Sequence, residues 1–238
     1  MARAAFVWTS DGALRASPIP EGGARIGRGA EVEIRVDAQT VSRVQASVGL
    51  EGDHFVIENV STTNPTKLNG VVVERRVPLS DGDEVQAGSL ALIFHDLAAA
   101  DRLSGPMCSH CSRENLATDT DCWYCGTSLV NAPTTILQRR EVACRLVSAM
   151  GEHHDLLTDE SLTVDDGGAP MVVRAGTDLP AGQPAIQVRN MEPRLVEAGE
   201  TLRVNGESAS ADQRLATGDR VDMGKASLLV IARVDPSA

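Results

Sequence analysis

Two groups of residues in this 238-residue chain have types and spacings that could do chemistry. The first is scattered over turns: Gly27-Arg28, Ser42-Arg43-Val44-Gln45, Thr62 to Gly70, and Leu79-Ser80-Asp81-Gly82-Asp83. Arg28 and Arg43 offer guanidinium forks, and Ser42, Thr63 and Asn64 offer short neutral donors, a set suited to one phosphate-sized anion. The second group is Cys108-Ser109-His110-Cys111, then ten residues, then Cys122-Trp123-Tyr124-Cys125. Paired C-x-x-C turns supply the four ligands of tetrahedral zinc, ahead of redox thiols or iron. With Cys108, Cys111, Cys122 and Cys125 all engaged, no coordination position stays open. The expected Zn2+ is therefore structural, and His110 is a bystander.

Both groups need elements to hold them. Residues 1–97 read as short strands broken by turns: Glu31–Val36, Ala46–Leu50, His54–Asn59, Val71–Val73 and Leu90–Phe94. Residues 141–238 have the same texture, with Ala143–Ser148, Ser161–Val164, Met171–Arg174, Ala185–Arg189, Thr201–Val204, Arg220–Met223 and Leu228–Ile231. Short strands with a turn every 8–12 residues give an all-β sandwich or barrel. An internal repeat links the halves: Leu68-Asn69-Gly70 then Leu79-Ser80-Asp81-Gly82-Asp83 recurs as Val204-Asn205-Gly206 then Leu215-Ala216-Thr217-Gly218-Asp219. The expected architecture is a β-sandwich over 1–97, a linker over 98–106, a zinc module over 107–130, a linker over 131–140 and a second sandwich over 141–238.

Charge narrows the function. The chain carries 22 Lys+Arg against 33 Asp+Glu, a formal charge of -11, with 3% aromatic residues. Residues 1–97 hold 9 basic and 13 acidic residues, 98–140 hold 4 and 4, and 141–238 hold 9 and 16. This balance argues against broad binding of nucleic acid or anionic membrane, while a local basic cleft stays compatible with it. No apolar run approaches a membrane span, and the opening residues break at once into Thr9-Ser10-Asp11-Gly12, unlike a signal peptide. A cytoplasmic location is expected, where clustered Cys serve as metal ligands before disulfides. No acid, base and nucleophile set can be named, so no enzyme is expected. Gly218–Ala226 imitates a phosphate-binding loop with the wrong spacing, and Cys144 reads as core.

The turn cluster over residues 5–96 resembles the forkhead-associated (FHA) domain, a reader of phosphothreonine peptides. The resemblance implies that Arg28, Ser42, Arg43 and Thr63 contact the phosphate and that Asn64 holds the peptide backbone. Gly27, Gln45 and Asn69 would structure the loops. Gln45 stands where the family has His, and Pro65 where it has Gly after Asn64. A scaffold that has lost binding is the alternative. The cysteine module resembles the short zinc ribbons, the second knuckle running on as Cys125-Gly126-Thr127-Ser128-Leu129. Its Trp123-Tyr124 pair reads as exposed, and its neutral charge favours protein over nucleic-acid contact. The last region resembles an FHA domain only in its second half, with Asp165-Asp166 in place of Gly-Arg.

The expected function is a phosphothreonine-dependent adaptor in Ser/Thr kinase signalling, its partner a phosphorylated protein, a kinase or a kinase substrate. The alternative is a structural assembly subunit whose contacts ignore phosphorylation. A zinc-ribbon regulator of nucleic acid is the weaker third. Thr134-Thr135 read as a kinase site that the chain's own FHA domain could capture, or simply as linker residues.

Overall fold

Alternating apolar residues make strands, and the paired sheets bury them against each other. The computed structural model describes residues 3–52, 54–98, 106–113, 115, 118–132, 142–165, 167–174, 176–179, 185–196 and 202–233. Among them there are strands and turns but no helix. The chain divides into two compact units, Phe6–Thr9 with Ile19–Arg140, and Met1–Ala5 with Ser10–Pro18 and Glu141–Ala238.

The first sandwich is built from β1 (Ala4–Ser10), β2 (Ala13–Pro18), β3 (Ala24–Gly27), β4 (Ile34–Arg35), β5 (Ala46–Glu51), β6 (His54–Asn59), β7 (Lys67–Leu68), β8 (Val71–Val72), β9 (Val77–Pro78), β10 (Glu84–Ala87) and β11 (Leu90–Asp96). One sheet runs β2-β1-β11-β10-β7-β8 and the other β4-β3-β5-β6-β9. Phe94 of the first sheet joins them, its ring 5.5 Å from Phe6 on its own sheet and 5.5 Å from Phe55 on the facing sheet. The strand expected over Glu31–Val36 shrinks to β4, paired in parallel with β3 through Ile26 and Ile34. Val32, Ile34 and Val36 are still buried in alternation, so the apolar period is kept while the ladder is not.

The second sandwich holds β12 (Cys144–Ser148), β13 (His153–Leu156), β14 (Ser161–Val164), β15 (Pro170–Val173), β16 (Ala185–Arg189), β17 (Glu192–Leu195), β18 (Leu202–Val204), β19 (Glu207–Ser208), β20 (Arg220–Met223) and β21 (Ala226–Ala232). Its sheets run β13-β12-β21-β20-β18-β19 and β15-β14-β16-β17, the order of the first sandwich repeated. A single core of Leu146, Leu162, Ile186, Leu202, Val221, Val230 and their neighbours draws on both sheets. Cys144 belongs to it, fully buried, and burial pushes its thiol well above the usual range. The counterpart of β9 is reduced to one bridge, Arg194 to Arg214.

The sequence repeat is a repeat of hydrogen bonds. Asn69 Nδ2 donates to Asp83 Oδ1 at 2.8 Å while its Oδ1 accepts from Glu84 N at 3.1 Å. Asn205 does the same to Asp219 (2.8 Å) and Arg220 N (2.9 Å). Asp83 Oδ2 then accepts from Ser80 N, and Asp219 Oδ2 from Ala216 N, both at 2.8 Å. Asn69 and Asn205 have φ of 50° and 54°, a left-handed conformation that Asn tolerates better than most residues. Asn69→Ala and Asn205→Ala should each cost about 1–3 kcal/mol, from a lost bond to a carboxylate and a strained turn. Urea melts of both variants check this, and matching losses are expected.

Candidate functional site

Three loops at one end of the first sandwich enclose an open cleft of about 490 Å³. Its lining includes Arg28, Thr40, Ser42, Arg43, Ser61, Thr63 and Asn64. The turn after β3 is locked to the Ser42-Arg43 loop by Arg28 N donating to Ser42 O and Gly29 N donating to Arg43 O, both at 3.0 Å. Gly27 permits that approach: a Cβ there would lie 2.2 Å from Arg43 O. Neither guanidinium has an acid within ion-pairing distance among the described residues, and both side chains are exposed. Two cations are thus left free to meet an anion.

Gln45 organises the loops although it lies beneath the cleft. It is fully buried, and its Oε1 accepts from Ser42 N at 3.1 Å. Its Nε2 donates to Asn64 O at 2.6 Å and to Thr66 Oγ1 at 3.1 Å. One amide therefore ties the Ser42 loop to the Asn64 loop. Gln45→Leu would leave Ser42 N and Asn64 O unpaired, while Thr66 Oγ1 keeps Asn59 Oδ1, and should cost about 2–4 kcal/mol, read as a fall in the denaturation midpoint.

Ser61 and Thr40 complete the arrangement. Ser61 Oγ accepts from Thr63 N (3.2 Å) and Asn64 N (3.1 Å) and lies 2.7 Å from Ser42 Oγ. Asn64 Nδ2 donates to Thr40 O at 2.9 Å, so Pro65 does not prevent Asn64 from bridging loops. Sequence reasoning missed both residues, because a hydroxyl in a turn carries no mark of the partners it will meet. Asn69 lies outside the cleft, in the Asp83 turn.

The four ribbon cysteines meet in space. Their Sγ atoms all lie within 4.8 Å of one another, with Cys108 to Cys125 and Cys111 to Cys122 each at 3.6 Å. Disulfide sulfurs would sit about 2.05 Å apart, whereas ligands 2.3 Å from a tetrahedral metal sit about 3.8 Å apart. The thiols fit a metal ion. Each knuckle closes alike: Ser112 N donates to Cys108 O and Gly126 N to Cys122 O, both at 2.9 Å. Hydrogen bonding from Thr127, side chain and backbone, draws the Cys125 thiol down to about 5, while burial pushes Cys111 up to about 12. His110 is exposed and stands outside the cluster.

Trp123 and Tyr124 are half-buried, against the exposed pair expected. Their rings meet edge-on at 5.6 Å, and the Arg113 guanidinium lies 4.8 Å from the Tyr124 ring centre. Asn115, fully buried, donates to Pro106 O and Arg113 O and accepts from Trp123 N. The ribbon is also fixed to the first sandwich. Arg113 Nη1 pairs with Asp83 Oδ1 at 3.1 Å and Arg75 Nη1 with Asp119 Oδ1 at 2.7 Å. The two carboxylate side chains are only 7% and 4% exposed.

The second sandwich differs at the turn after β14. Where the first has the Gly27-Arg28 turn and parallel β4, β14 turns directly into antiparallel β15. Asp165 caps that hairpin, accepting from Ala169 N at 2.8 Å. Asp166, Gln183-Pro184, Ala198–Thr201, the Thr134-Thr135 pair and most of both expected linkers lie outside the described residues.

Residues 24–88 match the family model described as FHA domain. A 68-residue stretch is 41% identical to the glycogen accumulation regulator GarA of Mycolicibacterium smegmatis, covering 29% of this chain and 42% of that protein. A 59-residue stretch is 36% identical to the human proliferation marker protein Ki-67, covering 25% of this chain and 2% of that protein. The alignments thus span less than half of each relative. Among solved structures, the FhaA FHA domain complexed with the intracellular domain of Rv3910 is similar over 39% of this chain and 99% of that one, at 27% identity and a TM-score of 0.36. The chain carries an FHA domain in its first sandwich.

Proposed function

We propose that the protein is a phosphothreonine-dependent adaptor rather than an enzyme. The observation that carries this is the convergence of Arg28, Ser42, Arg43, Thr63 and Asn64 on one cleft of the FHA domain. A phosphoryl group brings about -1.5 to -2 charges and three acceptor oxygens. Arg28 and Arg43 supply counter-charge, Ser42 and Thr63 neutral donors, and Asn64 an amide for the peptide backbone. Charge-assisted bonds of this number, less ordering costs, give affinity on the order of micromolar, suited to reversible signalling. The partner is a phosphorylated kinase or kinase substrate in the cytoplasm, or the chain's own phosphorylated Thr134-Thr135 segment. No helix among the described residues is long and apolar enough to cross a membrane.

Zinc is the metal best suited to four thiolates in two C-x-x-C knuckles. Cys108, Cys111, Cys122 and Cys125 would hold it, and it would supply folding energy rather than chemistry. The ribbon's arginine and aromatic residues are already engaged within the protein, which favours a protein-contact role over nucleic-acid reading. The second sandwich, its hairpin closed by Asp165, serves as a scaffold for contacts.

Calorimetric titration with one peptide in phosphothreonine and unmodified forms tests the reading. Micromolar binding of the first alone is expected. Equal binding of both would leave the assembly-subunit alternative in its place.

A further inference from the structure

Among the described residues, one acid faces the cationic cleft. Glu31 lines it together with Arg28 and Arg43. Its carboxylate stands over the Arg28-Gly29 turn: a Cβ built on Gly29 would meet Glu31 Oε2 and Arg43 O at 2.8 Å each. The basic residue beside it does not neutralise it by contact. Arg25 donates to Glu33 through its backbone (2.8 Å) and its guanidinium (3.0 Å), and takes the backbone carbonyl of Glu31, not the carboxylate. Glu31 therefore enters the cleft as an acid without an ion-pair partner among the described residues.

The charge count changes when a ligand arrives. Two guanidinium groups roughly match one phosphate at about -2. That leaves the Glu31 carboxylate beside a neutralised cluster, its repulsion for the phosphate offset in part by the nearby Arg25 guanidinium, itself paired with Glu33, and further by a cation the ligand brings. We propose that Glu31 makes the cleft select phosphothreonine segments with a lysine or arginine close to the phosphothreonine and disfavour those with acids there. The inference rests on the phosphothreonine reading above and adds to it the chemistry of the flanking sequence.

Glu31 is exposed, so the effect is that of a solvated ion pair. A factor of about two to five per flanking charge is expected, shrinking as salt is added. The test is a set of phosphothreonine peptides with alanine flanks, in which one lysine or one glutamate is moved through the flanking positions. Each is titrated against wild type, Glu31→Gln and Glu31→Lys, with thermal melts confirming that both variants fold. Wild type should favour lysine over glutamate by about five-fold at one or more positions. Glu31→Gln should lose that preference while binding the alanine-flanked peptide more tightly, and Glu31→Lys should reverse it. An equal preference in wild type and Glu31→Gln, or none in wild type, overturns the inference. Absence of phosphate-dependent binding by any peptide would instead overturn the phosphothreonine reading itself.

Discussion

Arg28→Ala should weaken binding of a phosphothreonine peptide by about 10- to 100-fold, the loss of one or more charge-assisted bonds worth about 1.5–3 kcal/mol each. Arg43→Ala should do likewise, and the double variant should show no measurable binding. Neither guanidinium contributes a contact that holds the fold, since both are exposed without an acidic partner among the described residues. Melting temperatures should therefore stay within about two degrees of wild type. That separation of binding from stability is the informative part. Lysine at either position should restore only part of the affinity, because an ammonium cannot present the bidentate fork. Calorimetry and thermal melts on the same preparations check both halves. Retained affinity in the double variant would place the phosphate elsewhere or nowhere.

Removal of a metal held by the four cysteines should have the second large effect. The ribbon's own core is small: Cys108, Cys122 and Leu129 are buried, with Cys111, Tyr124 and Ala132 packed against them. So little apolar surface cannot offset the entropy of ordering a segment of this length. Structural zinc supplies about 10–16 kcal/mol in comparable modules. Chelation, or Cys122→Ser, should unfold the ribbon and change Trp123 fluorescence. The consequence extends into the first sandwich. Asp83 would lose Arg113 and keep, among the described residues, Asn69 Nδ2 and Ser80 N, while Arg75 would lose Asp119. A cost of about 1–3 kcal/mol to that sandwich follows, or a fall of several degrees in its melting temperature. Arg113→Ala should reproduce part of the fall with metal still bound. Calorimetric scanning with and without chelator decides it, and an unchanged transition would show that the metal has no structural role.

Each level of structure was legible to a different depth. The Asn-Gly and Gly-Asp pairs of the repeat could be read directly because they encode turns through local backbone preference, and each Asn meets its Asp at a fixed distance along the chain. The C-x-x-C pairs were equally open, their ligands being set by two tight turns. The strand over Glu31–Val36 was not, because its apolar alternation records burial, which a loop lying along a sheet satisfies as well as a strand. The hairpins β1–β2, β12–β13 and β16–β17 were underread for the opposite reason: Arg15, Glu152 and Glu192 interrupt the apolar pattern at solvent-facing or edge positions.

The sequence alone determined the all-β class, the duplication, the four thiols and five of the residues lining the cleft, Arg28, Ser42, Arg43, Thr63 and Asn64. These depend on residue type and short-range spacing. Only the tertiary structure decided that Gln45 spans two loops, that Ser61 rather than a more obvious residue receives Thr63 and Asn64, and that Glu31 stands among the arginines. It also decided that the ribbon rests on Asp83 and that the second copy closes its loop into a hairpin. The Gln45–Asn64, Ser42–Ser61 and Arg113–Asp83 contacts join residues 19 to 30 positions apart, where nothing local fixes the meeting and the packing of two sheets does. The Ser61 turn and the Asp165 hairpin are local, but their residue types alone do not say which donor each oxygen will receive.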